Sequence, residues 1–416
     1  MKNKMYILDN TIFYLLIGYI CLINFEAKIT DILFSIIFIL SCVKFYYKKP
    51  EWKEIPKNIV YPIGILCIVL LILVCNSSMQ DIQESFKIVR RFIKSILPCF
   101  IIFYCIKDKY KIKILFSFLL GSIFIEIIYA LITNINNFYD VLFNNKQIRI
   151  QGYNVQNWPL FMLFSMKLEI FLPIMYILLL IQKKVVNKVI MFIPLLIGII
   201  ALFFNNTRMA WLIIALMFII ISCLYIKNKK ILIIVLFSMS IISLGIVYTQ
   251  PWIQQRIDNT IYMKDGSSQL HYMFVQDSLE MIKEKPILGW GIGQFSKYYN
   301  ESFRSDKTNE LIEKYHEKTP VPYAHNMIID FLVEGGIIGA LAYIISYGSL
   351  LIFGFTDWYK YKSISGLMFF CIILCFILHG FSEKTFSFRT IIQYQYCLLG
   401  MYLVYRNYEI KDKDLK

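Results

Sequence analysis

A succession of long apolar runs restricts the fold of this chain more than any other feature of its sequence. A helix that crosses a bilayer needs about 20 predominantly apolar residues, and twelve runs are candidates by that measure. They start near Thr11, Thr30, Ile59, Phe92, Leu115, Phe161, Val189, Met209, Ile231, Met327, Ile364 and Thr390. The pattern predicts an all-α polytopic membrane protein with about twelve transmembrane helices.

The composition supports this class and excludes others. Hydrophobic residues make up 58% of the 416 residues and charged residues 17%, whereas soluble domains are less apolar and about a quarter charged. A net charge of +15 could indicate nucleic-acid binding, but the basic residues are confined to short gaps between apolar runs. We therefore expect membrane lipids, and no nucleic acid, among the partners of this chain.

The ten cysteines lie within or at the ends of the apolar runs. A disulfide framework would place cysteines in exposed loops, and a zinc site would pair them with histidines at ligand spacing. The Cys371/Cys375 pair has helical spacing, and small buried thiols in a packed membrane helix explain it better than a metal site.

The lysine-rich short loops predict the orientation. When the spans are threaded alternately, Lys48/Lys49, Lys107–Lys113, Lys183/Lys184 and Lys227–Lys230 all fall on one side, which is cytoplasmic by the positive-inside rule. The predicted organisation is helices 1–9 in residues 1–248 and a long, partly helical extracytoplasmic loop in 249–325. Helices 10–12 and a cytoplasmic tail follow in 326–416.

Two arginines depart from that rule. Arg90 and Arg91 lie at the outer end of the fourth span, where a cation needs a partner. An anionic ligand at the outer leaflet is one candidate. Lipid phosphates, or the nearby carboxylates of Asp81 and Glu84, are the alternative.

Several charged residues fall inside the predicted spans, where charge is costly and often functional. Lys167 and Glu169 are two residues apart, so they lie on different faces of one helix. We expect each of them to pair with another helix in a structural role. The turn between the last two spans carries Glu383, Lys384 and Arg389, which we expect on the outer side, at the rim of the site.

Three motifs at the predicted outer face carry the chemical information. Arg208 begins the eighth span, and Gly289, Gly291 and Gly293 form a Gly-x-Gly segment that predicts a tight turn. The third motif is VPYAHNMIIDFLVEGGIIGALAY. It places His325 and Asn326 at the start of the tenth span, followed by glycines that allow a neighbouring helix to approach closely.

In this order and with this sidedness, the motifs resemble the O-antigen ligase and O-antigen polymerase superfamily of lipid-linked glycan transferases. The resemblance covers roughly residues 200–345 by motif. It implies a metal-independent, inverting glycosyl transfer at the outer, periplasmic face of the inner membrane, with no cofactor. It also implies a glycan on undecaprenyl diphosphate as the donor and, in the ligases, a lipid A–core sugar as the acceptor.

Matching positions give roles to individual residues. The resemblance implies that His325 is the general base and that Arg208 is a ligand of the diphosphate. A second arginine of the family falls at His271 by an ungapped count, so either His271 or Arg256 takes that position. Arg149, Arg90, Arg91 and Asn326 complete the set of residues expected to bind the diphosphate or the glycan.

Two other functions remain open on the sequence. A polymerase would use the same donor but a second lipid-linked repeat unit as acceptor, and the modest length and the motif pattern favour a ligase. A transporter or flippase without chemistry is the third hypothesis. The polar motifs gather at one membrane face rather than at the midplane, which favours an enzyme.

Overall fold

We describe the fold from a computed structural model of the chain. The structure describes residues 2–24, 27–50, 54–78, 81–136, 138, 150, 160–315 and 323–414.

Within these residues the secondary structure is helical, with no β-strand. The α-helices are α1 (Lys2–Leu22), α2 (Ala27–Tyr47), α3 (Lys57–Cys75), α4 (Ile82–Cys105), α5 (Lys109–Thr133), α6 (Leu160–Ile181), α7 (Val185–Asn205), α8 (Arg208–Tyr225), α9 (Lys229–Thr249), α10 (Pro251–Ile261), α11 (Gly266–Glu284), α12 (Phe295–Tyr298), α13 (Asp306–Tyr315), α14 (Met327–Tyr361), α15 (Ile364–His379) and α16 (Arg389–Asp414).

Nine of the described helices are long and apolar enough to cross a membrane, namely α1, α2, α3, α5, α6, α7, α8, α9 and α14. The apolar helix α15 has only 16 residues. Charged residues interrupt the apolar character of α4 and α16. The all-α polytopic membrane architecture is therefore confirmed, and a helix lies at each of the twelve predicted positions. The number of twelve spans stays a prediction.

The helices pack around one continuous apolar core. The closest partners are α16 with α4, α14 with both α15 and α3, and α6 with α7. A second, smaller apolar cluster lies in the stretch between α9 and α14, where Leu270, Phe274 and Tyr299 are buried together. Asp277 is buried beside this cluster and accepts hydrogen bonds from the hydroxyl groups of Tyr299 and Thr308, both at 2.8 Å. The predicted partly helical stretch is thus a packed unit.

The expected pairing of the charged residues in α6 is confirmed. Lys167 Nζ lies 2.8 Å from both carboxylate oxygens of Glu126 in α5. Glu169 pairs with His379 of α15 at 2.7 Å. Each charge therefore links α6 to a different neighbour, as the two opposite faces of the helix require.

A kink in α14 positions the functional region. Gly336 has φ 58° and ψ −161°, which interrupts the helix. The backbone N–H groups of Trp290 and Gly291 donate to the carbonyls of Val333 and Glu334 at 2.8 and 2.9 Å. Ile337 N–H in turn donates to the carbonyl of Pro286 at 2.9 Å. The loop therefore satisfies backbone groups that the break would leave unpaired.

The glycines make this docking possible. Gly289, Gly291 and Gly293 all have positive φ, so the predicted tight turn is confirmed. A Cβ at Gly336 would lie 2.2 Å from the backbone carbon of Ile287. Helix α3 approaches at Gly335 and Gly339 through the side chain of Leu73. The expected close approach to α14 is thus made by the Leu73 side chain of helix α3 and, at Gly336, by the loop backbone at Ile287.

Candidate active site

His325 lies immediately before α14, in a backbone conformation that few non-glycine residues adopt. Its φ is 50°, and such left-handed geometry costs of order 1–3 kcal/mol. The next residue, Asn326, caps α14 by accepting hydrogen bonds from the N–H groups of Ile328 and Ile329 at 3.1 and 3.2 Å. The cap holds the start of the helix and so determines where the His325 ring projects.

A carboxylate from a distant part of the chain holds that ring. His325 Nδ1 lies 3.4 Å from Glu383 Oε1, and the Tyr323 hydroxyl donates to Glu383 Oε2 at 3.2 Å. Burial would raise the pKa of Glu383, but the hydrogen bond and the positive charge of His325 hold it below its usual range. An ionised Glu383 can only accept a hydrogen bond, so this contact places N–H on Nδ1, and in that tautomer the lone pair is on Nε2.

His271 of α11 stacks on His325. The ring centroids are 3.8 Å apart and the planes are inclined by 17°. Burial, the neighbouring His325 ring and the charge of Arg208 lower the pKa of His271 to about 3. The ring is therefore neutral near pH 7. It can offer a hydrogen bond or a lone pair, but no positive charge, to a ligand.

Arg208, the first residue of α8, is tied to the same helix as His271. Its Nη1 lies 3.0 Å from Asp265 Oδ2 and 3.2 Å from the Ser268 hydroxyl, and it also contacts the Thr260 hydroxyl. Asp265 caps α11 by accepting from Ser268 N–H at 2.9 Å. Burial would raise the pKa of Asp265, but the hydrogen bond from Arg208 holds it below its usual range.

Arg256 lies close to this group. It is half-buried in α10, and its carbonyl accepts a hydrogen bond from the Thr260 hydroxyl at 2.8 Å. Thr260 is the residue that contacts Arg208, so Arg256 lies one helical turn from that contact. The structure therefore brings Arg208, Arg256, His271, His325 and Asn326 into one region.

Three further predicted arginines, Arg90, Arg91 and Arg149, are not among these residues. Arg90 and Arg91 are exposed on α4, and neither side chain forms a hydrogen bond or ion pair with another residue in the described part of the chain. Asp81, one of their suggested partners, pairs with Lys297 at 2.7 Å. Arg149 lies outside the described residues.

Some functional side chains were missed by sequence reasoning or understated. Glu383 was expected at the rim of the site, but nothing in its local sequence indicates contact with His325. Tyr323 and Asp265 carried no signal beyond their polarity. Lys384 pairs with Glu334 of α14 at 2.6 Å, which joins the same turn to the kinked helix.

One group of described residues could hold a metal ion. The ligand atoms of His271, His325 and Glu383 lie within 4.8 Å of one another.

Comparison with known proteins adds an independent observation. Residues 193–344 match the family model for O-antigen ligase. The match confirms the resemblance to the O-antigen ligase and polymerase superfamily, whose members are lipid-linked glycan transferases. It runs from within α7 to within α14 and contains Arg208, Arg256, His271 and His325. No curated protein matches the chain.

Proposed function

We propose that this chain is an O-antigen ligase-like glycosyltransferase. It moves a glycan from undecaprenyl diphosphate to a sugar of the lipid A–core, with inversion and without a metal. The observation that carries the proposal is the pairing of His325 with Glu383 beside Arg208, at one end of the helical bundle. The side chains of His325 and Glu383 are 10% and 5% exposed, and that of Arg208 is 22% exposed.

The geometry of the His325–Glu383 pair supports a role for His325 as the general base. His325 Nε2 accepts the proton of the acceptor hydroxyl as its oxygen attacks the anomeric carbon of the donor glycan. The bond between that carbon and the phosphate oxygen breaks, and undecaprenyl diphosphate leaves. Glu383 keeps the ring oriented and stabilises the imidazolium that forms, as a carboxylate does behind a catalytic histidine.

Arg208 serves the leaving group. A guanidinium binds two phosphate oxygens at once, and charge builds up on the diphosphate as the glycosidic bond breaks. In the described chain its hydrogen bonds use Nη1 and Nη2 toward Asp265, Ser268 and Thr260. Its remaining N–H groups can bind phosphate oxygens, and Arg256 lies one helical turn from the Thr260 contact. His271 is neutral, so Arg256 is the stronger candidate for the second cationic position.

The two ends of the bundle support an active face on the periplasmic side of the inner membrane. Arg208 begins α8, and Lys227–Lys230 follow the other end of that helix. His325 likewise precedes α14, and Lys360 and Lys362 lie at its far end. Lysine-rich ends are cytoplasmic by the positive-inside rule, so the cluster faces the other way. Arg90 and Arg91, exposed at the outer half of α4, are proposed to bind phosphates of the donor or of neighbouring lipids.

Deletion of the gene, followed by electrophoresis of lipopolysaccharide, tests the function. We expect loss of all glycan-capped lipopolysaccharide together with accumulation of long lipid-linked polymer. A core that carries a single repeat unit would identify a polymerase instead. Unchanged glycans would contradict both.

A further inference from the structure

Three elements that are far apart in the chain bring metal-ligating atoms together at the His325–Glu383 pair. His271 lies in the second turn of α11, His325 immediately precedes α14, and Glu383 lies in the turn between α15 and α16. Their ligand atoms are all within 4.8 Å of one another. In the described structure no other group of three such side chains comes this close.

The chemistry of the three ligands suits one class of ion. Two imidazole nitrogens and one carboxylate oxygen are a common protein ligand set for Zn²⁺, with a fourth position left for water. Ligand atoms around a tetrahedral zinc ion are about 3.3 Å apart, so the set closes around an ion when the stacked rings of His271 and His325 tilt until both nitrogens face it. The Tyr323 hydroxyl, which donates to Glu383, would orient the carboxylate from the outer shell.

The electrostatic surroundings permit a cation. His271 is a neutral ring and needs no deprotonation before it binds an ion. Glu383 is buried and ionised, so it supplies negative charge within the group. The guanidinium of Arg208, whose charge acts on His271, is paired with Asp265 at 3.0 Å. This pairing reduces the repulsion that Arg208 would exert on a bound ion.

We propose that His271, His325 and Glu383 bind a divalent transition-metal ion of the zinc type, and that the ion inhibits glycan transfer. The inhibition rests on the proposed function, in which His325 is the base. An ion on Nδ1 replaces the proton that this atom shares with Glu383, so the neutral ring carries its proton on Nε2. An ion on Nε2 occupies the lone pair directly. In both cases the ring can accept no proton from the acceptor hydroxyl.

Binding is measured first, without any activity assay. The full chain in detergent, purified without a polyhistidine tag and with its accessible cysteines alkylated, is titrated with Zn²⁺ against a chromophoric chelator. We expect one saturable site. Its affinity should fall at least about 100-fold in His271→Phe, which keeps a stacked ring but has no nitrogen ligand, and in Glu383→Gln. Tyr272→Ala and Glu280→Gln, which change exposed residues of α11, are the matched controls and should bind like the parent.

Two results would overturn the site. One is the absence of saturable Zn²⁺ binding by the folded parent. The other is unchanged affinity in both His271→Phe and Glu383→Gln, with the thermal unfolding of each variant showing that it is folded.

Transfer is measured next, with the same purified protein. Zn²⁺ should inhibit the parent over the concentration range in which it binds, and a chelator should restore the rate. Inhibition that is absent despite intact binding would refute the inhibitory role and the assignment of His325 as the base, while the binding site itself would stand. Failure of the binding experiment would leave the proposed glycan transfer untouched, so the two hypotheses are separated.

Discussion

The charged pairs inside the bundle and those at its active end differ in access rather than in chemistry. Lys167 and Glu126 are each 1% exposed, with both carboxylate oxygens within 2.8 Å of the ammonium. His325 and Arg208 also pair with carboxylates, but their side chains are 10% and 22% exposed. Burial of an ion pair in apolar surroundings is costly unless the pair is complete. A pair without access to solvent therefore holds helices together, and a pair with access can also meet a substrate.

The largest expected effect tests the accessible side of this comparison. His325→Gln and His325→Ala should lower the rate of transfer by roughly 10²–10⁴-fold, which is the usual contribution of a general base. Binding of the lipid-linked donor should persist, because the diphosphate contacts are assigned to arginines. Purified transfer and donor-binding assays check both points, with Tyr272→Ala as a parent-like control. Near-parent turnover in His325→Gln would show that the side chain serves only as a hydrogen-bonding group.

The buried side of the comparison predicts a loss of stability instead. Lys167→Met leaves the carboxylate of Glu126 buried without the ammonium of Lys167, which should cost about 3–5 kcal/mol of unfolding free energy. The double substitution Lys167→Met with Glu126→Gln should recover much of that loss. Equilibrium unfolding in detergent measures the free energy of unfolding of the parent, the single variant and the double variant. A single variant as stable as the parent would mean that the pair contributes nothing to helix association.

Arg208 separates the structural and functional roles of one accessible pair. Arg208→Lys should lower transfer by about 10²-fold, since a single ammonium cannot bind phosphate in a bidentate manner. Asp265→Asn breaks the same ion pair but keeps the guanidinium, so it should retain most of the activity. Transfer rates of the two variants, each normalised to folded protein, provide the measurement. Equal losses would reduce Arg208 to an anchor for α11.

The smallest effect concerns pH. His271 has a pKa of about 3 in the folded protein, whereas an unfolded histidine titrates near pH 6.5. Below about pH 6.5 the unfolded chain therefore binds more protons at this position, and folding stability falls as the pH falls, by no more than about 1.4 kcal/mol per pH unit. His271→Phe should remove this part of the pH dependence. Histidine-selective NMR should show the parent ring neutral from pH 8 to pH 5, and a ring that becomes charged in that interval would contradict the prediction.

Site residues that lie in local motifs could be predicted from the sequence, whereas contacts between residues far apart in the sequence could not. His325 and Arg208 stand beside span boundaries and recognisable motifs, so short stretches of sequence identified them. The partner of His325 is 58 residues away, in a turn between two other helices. Which carboxylate reaches the ring depends on how α14, α15 and α16 pack, and local residue patterns carry no information on that.

The sequence by itself determined the helical membrane class and the location of the motif residues, because apolar length and the placement of lysines are local properties of the chain. Only the tertiary structure decided that the Gly-x-Gly loop replaces backbone partners at the Gly336 kink, that His271 stacks on His325, and that Glu383 holds the ring. These contacts depend on the rotation and depth of packed helices. Both are set by the fit of side chains over the whole bundle, and no single run of residues encodes them.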